Sequence, residues 1–147
     1  MAARIRKNTG EAADFWLAAY RMMPGLLPMA VECCVALIAA GRPGEMLSLS
    51  DRMPVAIKAN GRILVLRARA ALDAGDLDRA EKILLSKDLV VADLWEGELL
   101  LSDTWYGLQE QKMARQSGMA VDDTIRARVR RECPPPSHLE FRMAAAK

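Results

Sequence analysis

The sequence predicts an all-α fold in which helices pack on helices, and three observations predict it. Of 147 residues, 52% are hydrophobic but only 5% aromatic, so the apolar content is Ala, Leu, Met and Val, mostly good helix formers. Strand-favouring runs of Tyr, Phe, Thr and Ile are scarce. Two apolar segments, 29–41 and 63–75, each close on a glycine, where a helix commonly ends in a left-handed residue. The length suits one domain with a core of its own.

Helices are predicted near 9–23, 28–40, 44–52, 60–74, 77–86, 98–115 and 121–132. The first carries Ala12, Trp16 and Ala19 at helical spacing and stops at Pro24. The second lies in the longest apolar stretch, 26–40, which holds Pro28, Glu32 and two cysteines. That stretch is shorter than the roughly 20 residues of a membrane span, so a buried helix is expected. Gly41 and Gly75 close the second and fourth helices, and Gly118 separates the last two. Asp122 and Asp123 open the final helix, where acidic side chains suit the helix dipole. Segment 88–92 is apolar and β-branched and is predicted to run extended. Pro134, Pro135 and Pro136 exclude a helix in the tail, which should be polyproline-like and then extended or docked. Residues 1–10 are basic but lead into no apolar signal core.

The spacing of Gly41 and Gly75 equals the period of an antiparallel helix-pair repeat, about 34 residues. The stretch 68–84 places Ala68 in a first helix, Gly75-Asp76-Leu77 in the turn, and Ala80 with Leu84 in a second helix. Small residues let two helices approach, and large ones fill the space beside them. Single periods forward and back from Ala68 reach Ser102, flanked by Leu101 and Trp105, and Cys34, followed by Leu37. Two periods back from Ala80 reach Ala12, followed by Trp16, Ala19 and Pro24. This pattern resembles the tetratricopeptide repeat over roughly residues 10–110. The resemblance implies a right-handed α-solenoid over residues 1–133, opening on an orphan second helix. Its repeats fall at roughly 8–24, 27–58, 61–92 and 95–118, with a capping helix at 121–132. Residues 134–147 form an extended Pro-rich tail. Met46 departs from the pattern where a small residue is usual, and Arg67 where leucine is usual. After Gln109 only Ala114 matches.

A second resemblance covers roughly residues 60–143. Asp93-Leu94-Trp95-Glu96-Gly97-Glu98, Leu101-Ser102-Asp103-Thr104-Trp105-Tyr106 and the tail 135–143 are similar to the C-terminal ends of long bacterial proteins of uncharacterised function. Those proteins have a carbohydrate-enzyme-like N-terminal domain followed by tetratricopeptide repeats. The resemblance implies no catalytic residue in this chain.

Net charge is +2, from 21 basic and 19 acidic residues, a balance unlike that of nucleic-acid or membrane-surface binders. Three cysteines, Cys33, Cys34 and Cys133, show no zinc spacing. Adjacent helical cysteines point about 100° apart, so Cys33 and Cys34 read as small packing residues rather than a redox pair. Unpaired thiols fit a reducing cytoplasm. The one histidine, His138, adjoins Ser137, but sequence neighbours do not form a triad, and a loop role is simpler. No phosphate-binding glycine loop or HExxH is present. Asp93, Glu96, Glu98 and Asp103 would favour a helix start over a cation site. Arg126, Arg128, Arg130 and Arg131 ride on a helix whose apolar stripe is Val121, Ile125 and Val129. A solvated cap, which repeat arrays require, fits better than a nucleic-acid surface, since no aromatic residues interleave for stacking.

The resemblance implies a peptide groove along the inner faces of the first helices. By register it would be lined by Val31, Val35 and Ile38, then Arg62, Val65, Arg69 and Leu72, then Leu99, Asp103 and Tyr106. Arginines there can fork onto a carboxylate, although few Asn or Lys residues accompany them. Phe15 and Trp16 on the orphan first helix are predicted to be partly exposed and to mark an interface, either of a homodimer or with an upstream domain. The expected function is a non-enzymatic scaffold that binds a peptide or partner subunit, with no cofactor and no metal. Two other roles are open: an accessory domain of a carbohydrate-active protein, and nucleic-acid association through residues 124–131.

Overall fold

A computed structural model of the chain describes residues 2–91 and 100–139, with side chains from residue 8 onward. Among the described residues, eight α-helices and one short 3₁₀ turn carry the regular structure, and no strand occurs. The helices are α1 (Ala2–Met22), α2 (Leu27–Ala39), α3 (Pro43–Asp51), α4 (Val55–Lys58), α5 (Gly61–Asp73), α6 (Leu77–Leu84), α7 (Leu100–Ser117) and α8 (Asp123–Glu132). None of the described helices is long and apolar enough to cross a membrane.

Local chemistry sets their ends. Pro28 and Pro43 lie in the first turns of α2 and α3, where a missing N–H costs nothing. Side chains cap three other starts: Asn60 accepts from Arg62 N–H (3.0 Å), Asp76 from Arg79 N–H (3.2 Å) and Asp122 from Ile125 N–H (2.8 Å). Three helices end alike. Gly41, Gly75 and Gly118 have φ of 71°, 80° and 65°. Gly41 N–H donates to Ile38 C=O (3.0 Å) and Arg42 N–H to Leu37 C=O (2.9 Å). Gly75 and Asp76 make the same pair of bonds to Leu72 and Ala71 (3.0 and 2.9 Å), and Gly118 and Met119 to Arg115 and Ala114 (3.3 and 3.0 Å). Each is a Schellman closure.

The helices pack largely on near neighbours in the chain. α1 lies against α2, α2 against α3 and α5, and α3 against α5; α5 also meets α4, α6 and α7, while α7 meets α6 and α8. Flanked on so many sides, α5 buries Ile63, Val65, Leu66, Ala68, Ala70, Ala71 and Leu72. Cys34, Ala68 and Ala80 are fully buried beside Leu37, Met46, Ile63 and Leu84, so small contact residues alternate with large ones. Met46 is also fully buried, its flexible thioether filling a place expected to hold a small residue.

Three features differ from expectation. α1 begins well before residue 9 and runs through Gly10, since one helical glycine costs only about 1 kcal/mol. α4 is an added single turn between Pro54 and Asn60. Residues 89–91 carry no helix or strand; the Val90–Val91 backbone lies on the start of α5, and a Cβ on Gly61 would sit 1.8 Å from the Val90 carbonyl oxygen. The glycine closures fall at Gly41, Gly75 and Gly118, so the second step is longer than the first. Counted back from these closures, Gln111 of α7, not Ser102, stands where Cys34 and Ala68 stand in α2 and α5, and Ala114 gives the closure carbonyl as Leu37 and Ala71 do. Ser102 is half-buried, while its neighbours Leu101 and Trp105 are buried.

The described part of the tail docks. Trp105 Nε1 donates to Cys133 C=O (3.1 Å), and Leu139 is buried in the main core. His138 Nε2 sits 2.9 Å from the Leu84 carbonyl oxygen; a carbonyl only accepts, so the ring donates there.

Candidate binding cleft

α5, α7 and α8 enclose an open cleft of about 410 Å³. α5 contributes Arg69, Leu72 and Asp73; α7 contributes Asp103, Tyr106, Gly107 and Glu110; α8 contributes Arg126 and Arg130. Asp103, Tyr106, Gly107 and Glu110 share one stripe of α7 because they recur at three- and four-residue steps. Gly107 lets α7 approach α5 closely, since a Cβ there would lie 2.9 Å from Leu72 Cδ2. Arg115 ties the far end of α7 to α5 by donating to Gly75 C=O (2.7 Å).

The cleft is amphoteric. Arg69 pairs with Asp73 one turn on (Nε to Oδ1, 3.3 Å). The Arg130 guanidinium stands 4.6 Å from the Tyr106 ring centroid, a cation–π contact. Asp103 and Glu110 have no ion-pair partner among the described residues. The α7 wall therefore carries unpaired carboxylate acceptors, while the arginine on the α5 wall is already paired with Asp73.

Of the groove residues predicted from sequence, Arg69, Asp103 and Tyr106 meet in this cleft, with Leu72 at its floor. Val65 is 2% exposed; it points into the core between packed helices and presents no surface to a ligand. Arg62 sits about 10 Å from Arg69 along α5 and does not line the cleft. Val35 is exposed, and Val31 and Ile38 are half-buried, on α2, away from the cleft. Leu99, Asp93, Glu96 and Glu98 lie outside the described residues, as do Glu140 and the rest of the tail.

Sequence reasoning missed Glu110, and it singled out Arg126 and Arg130 without placing them in this cleft. Glu110 follows Tyr106 by one helical turn and could have been found by extending that stripe. The arginines could not be placed, because a solvated cap carries no sign of which neighbour its side chains cross. All four arginines of α8 are engaged. Arg126 pairs with Asp123 (2.9 Å), and Arg128 and Arg131 with Glu132 (3.0 and 3.5 Å), while Arg130 covers Tyr106.

Elsewhere, Cys33 and Cys34 are fully buried and free. Burial pushes the Cys34 thiol up to about 12, with adjacent Cys33 adding to the rise; burial likewise raises Cys33. Neither is a thiolate near neutral pH, so nucleophilic and metal-ligand roles lack their reactive form. Among the described residues, no group of three or more His, Cys, Asp and Glu side chains is placed to hold a metal. Phe15 is 66% exposed and meets Trp16 edge to face at 5.6 Å, while Trp16 is half-buried against the core.

No family model matches the chain, and neither a curated protein nor a solved structure matches it.

Proposed function

We propose that this chain is a non-enzymatic scaffold of the tetratricopeptide kind, which binds an extended peptide of a protein partner between α5, α7 and α8. The supporting observation is the convergence of Arg69, Asp103 and Tyr106 on one open cleft between consecutive first helices of a helix-pair series. The series has its own support. α2–α3 and α5–α6 close with the same hydrogen bonds, one repeat period apart. Two further clefts recur at that period. Glu45, Ser48, Leu49 and Arg52 line one, and their counterparts one period on, Arg79, Lys82, Ile83 and Ser86, line the other. The described tail residues do not fill the proposed groove, because Leu139 and His138 dock at the end of α6. Association with nucleic acid is disfavoured by the carboxylates paired to Arg126, Arg128 and Arg131.

Selection from a displayed random-peptide library, followed by fluorescence anisotropy, tests this function. The expected outcome is a shared peptide motif whose affinity falls roughly tenfold or more on Tyr106→Ala, the loss typical of an aromatic hot spot. Selected peptides that bind Tyr106→Ala and Asp103→Lys as well as the unaltered protein would place the groove elsewhere. Failure to enrich any motif would remove the peptide-binding function.

A further inference from the structure

A second cleft, of about 350 Å³, opens between α5 and α6 and is lined by Leu64, Arg67, Arg79, Lys82, Ile83 and Ser86. Three of those six side chains are cationic. One carboxylate balances them: Arg67 and Arg79 both donate through Nη2 to the same oxygen, Oδ1 of Asp51, at 2.9 Å each. Lys82 is exposed and makes no ion pair with a described residue. The cluster thus carries a net charge of about +2 at neutral pH.

The donors also outnumber their acceptors. Arg67 is held tightly, its side chain 12% exposed, yet its buried Nε–H has no acceptor. Buried donors are nearly always paired. Ser86 Oγ accepts from Asp88 N–H (3.3 Å), which leaves its own hydroxyl proton to donate. Leu64 and Ile83 supply an apolar wall beside the charges.

The repeat register does not impose this arrangement. In the cleft one step earlier, Glu45 and Ser48 stand where Arg79 and Lys82 stand here. The earlier cleft therefore has a carboxylate, already bonded by Arg42, at the place where the later one has a guanidinium.

We infer that the Arg67, Arg79 and Lys82 cleft is a phosphate-binding site. A phosphate group carries about −1.5 to −2 charges near pH 7 and several strong acceptor oxygens, which matches the excess charge and the Lys82 ammonium and Ser86 hydroxyl donors that face the cleft; a carboxylate would leave one positive charge uncompensated. Guanidinium groups suit phosphate geometry through paired N–H donors. The apolar wall would take the organic part of a phosphate monoester. This site is separate from the proposed peptide groove and does not depend on it.

Amide chemical-shift titrations of the whole chain with inorganic phosphate, phenyl phosphate and benzoate, at ionic strength held constant with sodium chloride, test the site. Saturable shifts at Arg79, Lys82, Ile83 and Ser86 are expected with the phosphates, and weaker ones with benzoate. Phenyl phosphate binding more tightly than phosphate assigns an organic monoester, and equal binding assigns the free ion; both support a phosphate site. Lys82→Gln, which alters an exposed, unpaired side chain, should weaken binding about fivefold, and Asp51→Asn should strengthen it. Benzoate binding as tightly as the phosphates, absence of saturable shifts, or a Lys82→Gln titration identical to that of the unaltered protein would overturn the site.

Discussion

Arg42 ties α1 to α3 through its guanidinium. It bonds Glu45 in the first turn of α3 and Asp14 of α1 (2.7 Å) from the end of the α2–α3 turn. The bond from Arg42 is the main cause that holds the Glu45 carboxyl below its ordinary value. A carboxylate with a depressed folded pKa stabilises the fold above the ordinary carboxylate range, and that contribution disappears as pH falls through the depressed value. Urea denaturation of the unaltered protein and Arg42→Ala should therefore differ near neutral pH and converge in acid; a difference independent of pH would contradict the linkage. The thiols offer a second prediction. With Cys34 pushed up to about 12 by burial and Cys33 fully buried, a thiol reagent at mild pH should label the half-buried Cys133 alone, and all three cysteines after denaturation. Labelling of Cys33 or Cys34 in the folded chain would show that α2 opens. Their structural role was legible from their place in an apolar helix. The burial of Val65 was not, because a register that assigns one face inward cannot reveal that α5 is covered on several sides.

At the scale of elements, glycine closures carry most of the legible information. Gly41 and Gly75 announced two helix ends and a period, and both adopt positive φ. An alanine at Gly75 should cost about 1–2 kcal/mol for its left-handed backbone. Gly44→Ala, inside α3 with nothing within 4 Å of its Cβ, should be neutral or stabilising by up to about 1 kcal/mol. Chemical denaturation of both variants checks this pair, and a shift in the same direction would contradict the Schellman assignment. The third closure was recognisable as a separator at Gly118 but not as a member of the series, because more chain separates it from Gly75 than separates Gly75 from Gly41. Extra chain between α6 and α7 carries no periodic signal, so a fixed step from Ala68 lands on Ser102, whereas the same offset from the Gly118 closure falls at Gln111. The Gly61 contact with the Val90 backbone was equally unreadable, since a loop meets the first turn of α5 there without any local sequence pattern.

For the whole molecule, composition alone sufficed for the helical class, and the spacing of Gly41 and Gly75 for where α2 and α5 end. The cleft between α5, α7 and α8 was half legible: the residues on α5 and α7 follow from helical spacing, whereas the arrival of Arg126 and Arg130 depends on how α8 folds back. If the helix pairs form the proposed repeat series, they should lose structure from the ends inward, because each unit is then stabilised by the one beside it. Native-state hydrogen exchange resolved helix by helix measures this directly. Protection should be greatest in α5, around Ala68 and Leu72, and should decline through α2 and α7 toward α1 and α8. Uniform protection across all the helices, or protection lower in α5 than in α1 and α8, would contradict a stack of nested helix pairs.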